Sequence, residues 1–552
     1  MQENRPFIII LTLLLITGTL ANCANPNFTA PEGEQENRYG GIYRIAITES
    51  PKSLDPVHAT DTSSSRVVYQ LFETLVDVDS DGDVIPNLAE SWNISDDGLV
   101  YTFKLREDVR FHSVIGEDIP TENGGREVIA GDWVWTFNHI ANPDTKSERA
   151  YFIDMIKGYA DYHEGAADAL EGVTAKDKYT LEIVLDYPFA PFITMLAYNT
   201  FSVVPREDVE KWGEDFGFHP VGTGPFRFSE SIQDDRVVLT RNDDYWRKDE
   251  QNNTLPYLDG MEFRIINDLT MQWTEFQLGN FESIEMVDDP YYHEALEKYP
   301  DSFLRKPQMG TYFYGMNVTA KPFDNKKVRQ AINYAIDRQG IIDLLRNGRA
   351  TPAKGVLPPG MFGYNPDLVG YTYDPQKAKK LLAEAGYPDG IRITLQYNTD
   401  DIHRRIAEAF QQQMKDAGIE LELKHMDGAA LFEAMGKGEA TFFRLGWVVD
   451  YPDPDNFLYV LLNSANFGPL GNFTLFKNDE FDQLTNEARV ESDPEERRRM
   501  YQEAERIAVE EAPWLFVYHY TTEQLLQPYV RGYSLPPFGE HNARFYSVWL
   551  DK

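Results

Sequence analysis

The chain has 552 residues, 42% hydrophobic and 13% aromatic, which is too long for one core and apolar enough to fill two or three. Its 89 acidic against 52 basic side chains leave a formal net charge of −37; such a surface repels phosphate backbones and argues against nucleic acid as a partner. A single cysteine excludes an internal disulfide, so stability has to come from core size.

Phe7 to Ile16 is an apolar run too short to span a bilayer and of the length of a signal-peptide core. It ends in Leu20-Ala21-Asn22-Cys23, followed by a polar stretch to Asn37. This resembles a bacterial lipoprotein signal, although Asn22 stands where the pattern has Gly or Ala, and Arg5 is the sole basic residue before the core. The resemblance implies a signal peptide over 1–22, a flexible tether over 23–39, and an exported chain anchored to a membrane by lipidated Cys23. No later segment reaches the apolar length of a membrane span.

Further along, Gly41 to Thr48 alternates as a strand, and residues 91–105 read as two strands joined by an Asp-Gly turn. Tyr179 to Leu185 and Val237 to Thr240 read as further strands. Asp374-Pro375 supplies an N-cap and a first-turn proline for a helix that Gly386 closes. Ile391 to Tyr397 is a predicted strand, Ile402 to Ala417 a helix with Ile402, Ile406, Phe410 and Met414 on one side, and Ile419 to Leu423 another strand. Ser492-Asp-Pro-Glu-Glu opens a long helix running to about Glu511. The pattern is that of an α/β chain with mixed sheets.

Residues 441–448, Thr-Phe-Phe-Arg-Leu-Gly-Trp-Val, alternate so that Phe442, Arg444 and Gly446 share one face and Phe443, Leu445 and Trp447 the other. Pro452 and Pro454 then stop the strand. Arg444 and Asp450 thus flank Trp447 at a strand-to-turn junction. One reading is a receptor for a zwitterion: Asp450 for an ammonium, Arg444 for a carboxylate, the bare backbone of Gly446 for the amides between. The other is an internal salt bridge near a turn.

Other candidate chemistry fails on spacing. Asp77-Val-Asp79-Ser-Asp81-Gly82-Asp83 imitates the start of a calcium loop, but its twelfth position is Leu88 rather than a glutamate and Pro86 interrupts it; a hairpin turn suffices. The ten histidines are scattered without a zinc-ligand spacing. Gly222-Thr-Gly-Pro225 lacks the lysine of a phosphate loop, and no Gly-x-Ser-x-Gly elbow occurs. No cofactor or metal site and no enzyme are expected.

Several segments resemble the extracellular solute-binding proteins of family 5, the oligopeptide- and dipeptide-binding receptors of ABC importers. They are Ser53-Leu-Asp-Pro56, Pro86-Asn-Leu-Ala-Glu-Ser-Trp92, Tyr101-Thr-Phe-Lys-Leu-Arg106 and Val221-Gly-Thr-Gly-Pro-Phe226. Phe323 to Arg338, Ala378 to Gly386 and Trp447-Val-Val-Asp-Tyr451 follow in the same order. The resemblance implies a two-lobed α/β receptor, the periplasmic-binding-protein type II fold with an additional third domain. Lobe I would comprise 40–72, 205–285 and 522–552, the additional domain 73–204, and lobe II 286–521.

It also implies residue roles. Asp450 matches the acid that meets a peptide ammonium. Arg444 matches the arginine that meets the carboxylate of short peptides. Lys321, before Pro-Phe, and His403, in Tyr397-Asn-Thr-Asp-Asp-Ile-His403, match groups that share that duty for longer ones. The sequence departs from the family near Thr60 and Ala429, where an acid and a pocket tryptophan stand in relatives, so side-chain preference does not transfer. The implied partners are a peptide ligand, the permease subunits of an ABC importer and, through Cys23, a membrane; a monomer is expected, located in the periplasm or on the cell surface. The alternative keeps the receptor and changes its cargo to an oligosaccharide, metal chelate, glutathione or opine, with Trp447 or Tyr451 stacking on a sugar face.

Overall fold

The computed structural model describes residues 38–552 apart from 81, 117 and 537. The predicted signal peptide, most of the tether and Cys23 lie outside the described residues. Everything below belongs to the unit Tyr39–Lys552.

One sheet of eleven strands runs through most of the chain. Ile42–Ile47 lies parallel to Gly260–Ile265, which pairs antiparallel with Arg236–Arg241, and that strand forms a hairpin with Phe226–Ile232 at the sheet edge. Their inward residues Tyr43, Ile45, Ile47, Leu239 and Phe263 form the first lobe's core with Val67, Val68 and Leu71 of the helix Thr62–Leu71. At the far end, Ile391–Asn398 and Ile419–Met426 pair in parallel, joined by the helix Asp401–Asp416. Asp400 caps that helix by accepting from Ile402 N–H and His403 N–H, and Ile406, Phe410 and Met414 are buried beneath it.

Two long strands, Phe303–Met316 and Trp514–Leu526, connect these ends. Near the first lobe Phe303 to Pro307 pair with Leu525 to Thr521; further along, Thr311 to Gly315 pair with His519 to Trp514, and Gly310 to Met316 pair with Phe442–Val448. The register shifts between Pro307 and Thr311, where Pro307 cannot donate to the ladder. In the second lobe the alternation of these strands divides two cores: Tyr312, Tyr314, Phe442 and Tyr518 on one face, Phe313, Trp514 and Phe516 on the other.

A further core gathers residues mainly from Val57 to Val203 around a four-stranded antiparallel sheet, Ala89–Ile94, Val100–Leu105, Thr180–Val184 and Val173–Ala175. Trp133 and Phe137 of the helix Ala130–Ala141 cover it. The Asp-Gly turn lies between its first two strands, with Gly98 at φ +70°. Tyr451, from the turn beyond Phe442–Val448, is part of this core. In the aspartate-rich segment, Asp77 stands in the short strand Val76–Val78, which pairs antiparallel with Val84–Pro86.

Candidate functional site

Arg444 stands on the strand Phe442–Val448 opposite Tyr314, and Gly446 opposite Tyr312. Cross-strand neighbours on that face carry aromatic side chains, so the Arg444 guanidinium carbon sits 4.6 Å from the centre of the Tyr312 ring. Tyr312 in turn stacks on Tyr518, 4.6 Å away and 10° from parallel. Tyr520 lies across the two glycines of this face: a Cβ at Gly310 would stand 2.7 Å from Tyr520 Cδ2, and one at Gly446 would collide with Tyr520 Oη. The backbone of Gly446, open in the sequence reading, is therefore roofed by a phenol.

Two hydroxyl and imidazole contacts complete this end. Tyr314 and Tyr312 hydroxyls are 3.1 Å apart, and Tyr312 Oη is 3.0 Å from His403 Nδ1. Burial pushes the His403 pKa down to about 4, helped by the Arg444 charge and only partly opposed by Asp400. The imidazole is thus neutral near pH 7, and the charge on this strand is that of Arg444. Arg444 Nη1 donates a long hydrogen bond to Asn398 Oδ1 at 3.5 Å, and its buried Nε has no acceptor. Among the described residues no carboxylate forms an ion pair with it.

Asp450 belongs to a different setting. Its N–H donates to Asn456 Oδ1 at 3.1 Å, and Trp447 Nε1–H donates to the same oxygen at 2.8 Å. Trp447 itself packs against the opposite core from Arg444, as the alternation requires. The Asp450 carboxylate faces Arg149 of the additional domain, Oδ1 to Nη1 at 3.7 Å. Arg149 is seated over the Tyr198 ring at 4.7 Å. Burial raises the Asp450 pKa and Arg149 opposes the rise.

Next to it, Tyr451 is only 7% exposed; its hydroxyl donates to Asp455 Oδ2 at 2.7 Å and its ring meets Phe152 edge-on at 6.4 Å. Arg489, paired with Asp455 at 2.8 Å, accepts through its carbonyl from Ala190 N–H at 2.7 Å, a further link between the second lobe and the additional domain. Asp450 and Tyr451 line a cavity of about 70 Å³ together with Tyr198, Tyr69, His541 and Arg544. All three folding units meet there.

The predicted residues thus fall into two groups. Arg444, Gly446 and His403 gather round the tyrosines; Asp450 and Tyr451 line the three-way cavity, with Trp447 bridged to Asp450 through Asn456. Lys321 is exposed beyond the end of Phe303–Met316, and among the described residues no hydrogen bond or ion pair joins it to either group. Sequence reading missed Arg149, Tyr198 and the tyrosine platform. The alternations Tyr312-Phe-Tyr314 and Tyr518-His-Tyr520 were the available signal for the platform. Asp77, first of the calcium-like aspartates, is bound by Arg544, Oδ2 to Nε at 3.0 Å. Among the described residues no cluster of three or more metal-ligating side chains occurs, and no helix is long and apolar enough to cross a membrane.

The sequence pattern of the bacterial extracellular solute-binding proteins, family 5 (middle), matches residues 83–469. The chain belongs to this family. Heme-binding protein A of Haemophilus influenzae is 32% identical, with 98% of each chain covered. The dipeptide-binding protein of Escherichia coli K12 is 30% identical over 90% of this chain and 93% of its own. Among solved structures, the ABC transporter-associated periplasmic binding protein DppA from Helicobacter pylori, in complex with the peptide STSA, superposes with a TM-score of 0.73 at 28% identity, covering 94% of this chain and 99% of its own. The family 5 receptor therefore has the expected type II fold, two lobes sharing the crossing strands, with an additional domain against them.

Proposed function

We propose that this family 5 protein captures short peptides outside the cytoplasmic membrane and hands them to the permease of an ABC importer. The observation that carries the reading is the unmatched charge of Arg444, held on a tyrosine platform, on the same strand-and-turn as a half-buried acid at a cavity. An exported peptide closes the lobes; its ammonium meets Asp450, beside or in place of Arg149, and its carboxylate meets Arg444. A consistent proton order runs Tyr314 Oη–H to Tyr312 Oη, Tyr312 Oη–H to His403 Nδ1, leaving His403 Nε2–H to donate to the same carboxylate. Each buried charge-assisted contact contributes roughly 1.5 to 3 kcal/mol, so two termini carry most of the affinity and peptide side chains are free to vary. Lys321 serves longer peptides. The receptor has no catalytic step, works as a monomer, and is tethered through lipidated Cys23.

A second reading changes only the cargo, and the name of the Haemophilus relative is the observation behind it. Mass spectrometry of ligands released from protein purified without denaturation separates the two. Peptides of a few residues are expected; recovery of haem or another non-peptide solute alone would overturn the peptide reading.

A further inference from the structure

A second cation faces the tyrosine platform, and no sequence motif singled it out. Arg346 caps the C-terminal end of the helix Arg338–Leu345, and the chain then enters the short strand Ala350–Pro352, which pairs with Tyr520 to Tyr518. The Arg346 guanidinium carbon is 5.9 Å from the centre of the Tyr518 ring. Tyr518 stacks on Tyr312, and Tyr312 carries Arg444 on its ring. Arg346 and Arg444 both act on the charge state of His403, Tyr518 and Tyr520, which places the two guanidinium groups around one cluster.

What sets Arg346 apart is what it lacks. In a chain with 89 acidic side chains, its neighbours are neutralised: Arg349 pairs with Glu523 at 2.9 Å and Arg305 with the same carboxylate at 3.2 Å. Arg346 is half-buried and its Nε is buried without an acceptor. Among the described residues no carboxylate forms an ion pair with it. Asp400, 3.9 Å from His403, is already engaged in capping a helix. Two half-buried guanidinium groups with no internal anion leave the platform with excess positive charge, and desolvated cations of that kind require anionic partners.

We propose that Arg346 selects the last side chain of the ligand: with Arg444 it accepts a peptide end bearing two carboxylates, the α-carboxylate and that of a terminal Asp or Glu. This rests on the peptide reading. Arg444, on the Tyr312 ring, takes the α-carboxylate, and Arg346, beside the Tyr518 ring, takes the side chain. A purely structural role, a cation at a helix C-terminus, would not depend on the ligand's last residue.

Calorimetric titration of the full chain with Ala-Ala-Glu and Ala-Ala-Gln tests the assignment. The Glu peptide is expected to bind about tenfold more tightly, the equivalent of one charge-assisted contact. Arg346→Gln should abolish that preference and leave the Gln peptide's affinity unchanged, while Arg346→Lys keeps part of it. Equal affinities in the unmodified protein, or a preference that survives Arg346→Gln, would overturn the proposal and leave the peptide reading standing. Failure of both peptides to bind would overturn the peptide reading and this proposal with it.

Discussion

Arg444 is held entirely by groups of its own lobe, whereas Asp450 is held across a domain boundary. Around Arg444 the phenols of Tyr312, Tyr314 and Tyr520 come from strands fixed by backbone ladders, so that end exists whether or not the lobes are closed. Asp450 finds its counter-charge on Arg149 and its cavity walls on all three folding units, so that end is complete only when the second lobe meets the additional domain. The difference suggests a division of labour. Under the proposed reading, the prebuilt end would fix a carboxylate and the end assembled on closure would check for the opposite terminus.

The largest disturbance is expected where the second lobe enters the additional domain. Tyr451→Ala removes a ring that is 7% exposed and a hydroxyl bonded to Asp455, and should cost about 3 to 5 kcal/mol, read as a lowered urea midpoint. A loss under about 1 kcal/mol would mean that Tyr451 merely rests on the additional domain. Gly446→Val tests the prebuilt end. Its side chain collides with Tyr520, and overpacking of this kind costs about 1 to 3 kcal/mol, with a matching loss of affinity for peptides with a free C-terminus. Unchanged binding by this variant would show that Tyr520 does not position Arg444.

Acidity separates the two ends more gently. The His403 pKa is depressed to about 4 in the folded protein against an unperturbed 6.5, so the unfolded chain takes up this proton first as pH falls. Its effect is a stability that is full above about pH 6.5 and declines toward pH 4. Affinity at the Arg444 end should stay flat between pH 7 and pH 5, because His403 gains no charge there; a marked rise in affinity over that interval would identify a charged imidazole in binding. The smallest effect is expected from Arg149→Gln. Its partner lies 3.7 Å away and is about a third exposed, so the loss in stability should stay below about 1 kcal/mol. Thermal denaturation of this variant beside Tyr451→Ala ranks the two contacts.

Local rules made much of the fold legible. Asp374 and Pro375 did open a helix, Pro375–Glu384, with Gly386 beyond it at φ +95°. The long helix after Ser492 spans Pro494–Glu511, and the alternation over 441–448 put Phe442 and Phe443 into separate cores. These features depend on neighbours a few residues away, where capping, proline geometry and period-two burial decide the outcome. The site was legible only in part, because its other half comes from distant chain. Nothing near Asp450 in sequence points to Arg149, and nothing near Arg444 points to Arg346 or to Tyr520. Gly446 illustrates the limit: a missing Cβ reads as open backbone, yet the space is filled by a phenol from the other crossing strand.

The most direct measurement pairs each end of the site with the terminus assigned to it. Affinities of Asp450→Asn and Arg444→Gln would be taken by calorimetry for one tripeptide in three forms: free, N-acetylated and C-amidated. A crossed pattern is predicted. Asp450→Asn loses at least about tenfold on the free and C-amidated forms and little on the N-acetylated one, and Arg444→Gln loses as much on the free and N-acetylated forms and little on the C-amidated one. Equal losses on all three forms in both variants would contradict the assignment of one terminus to each end.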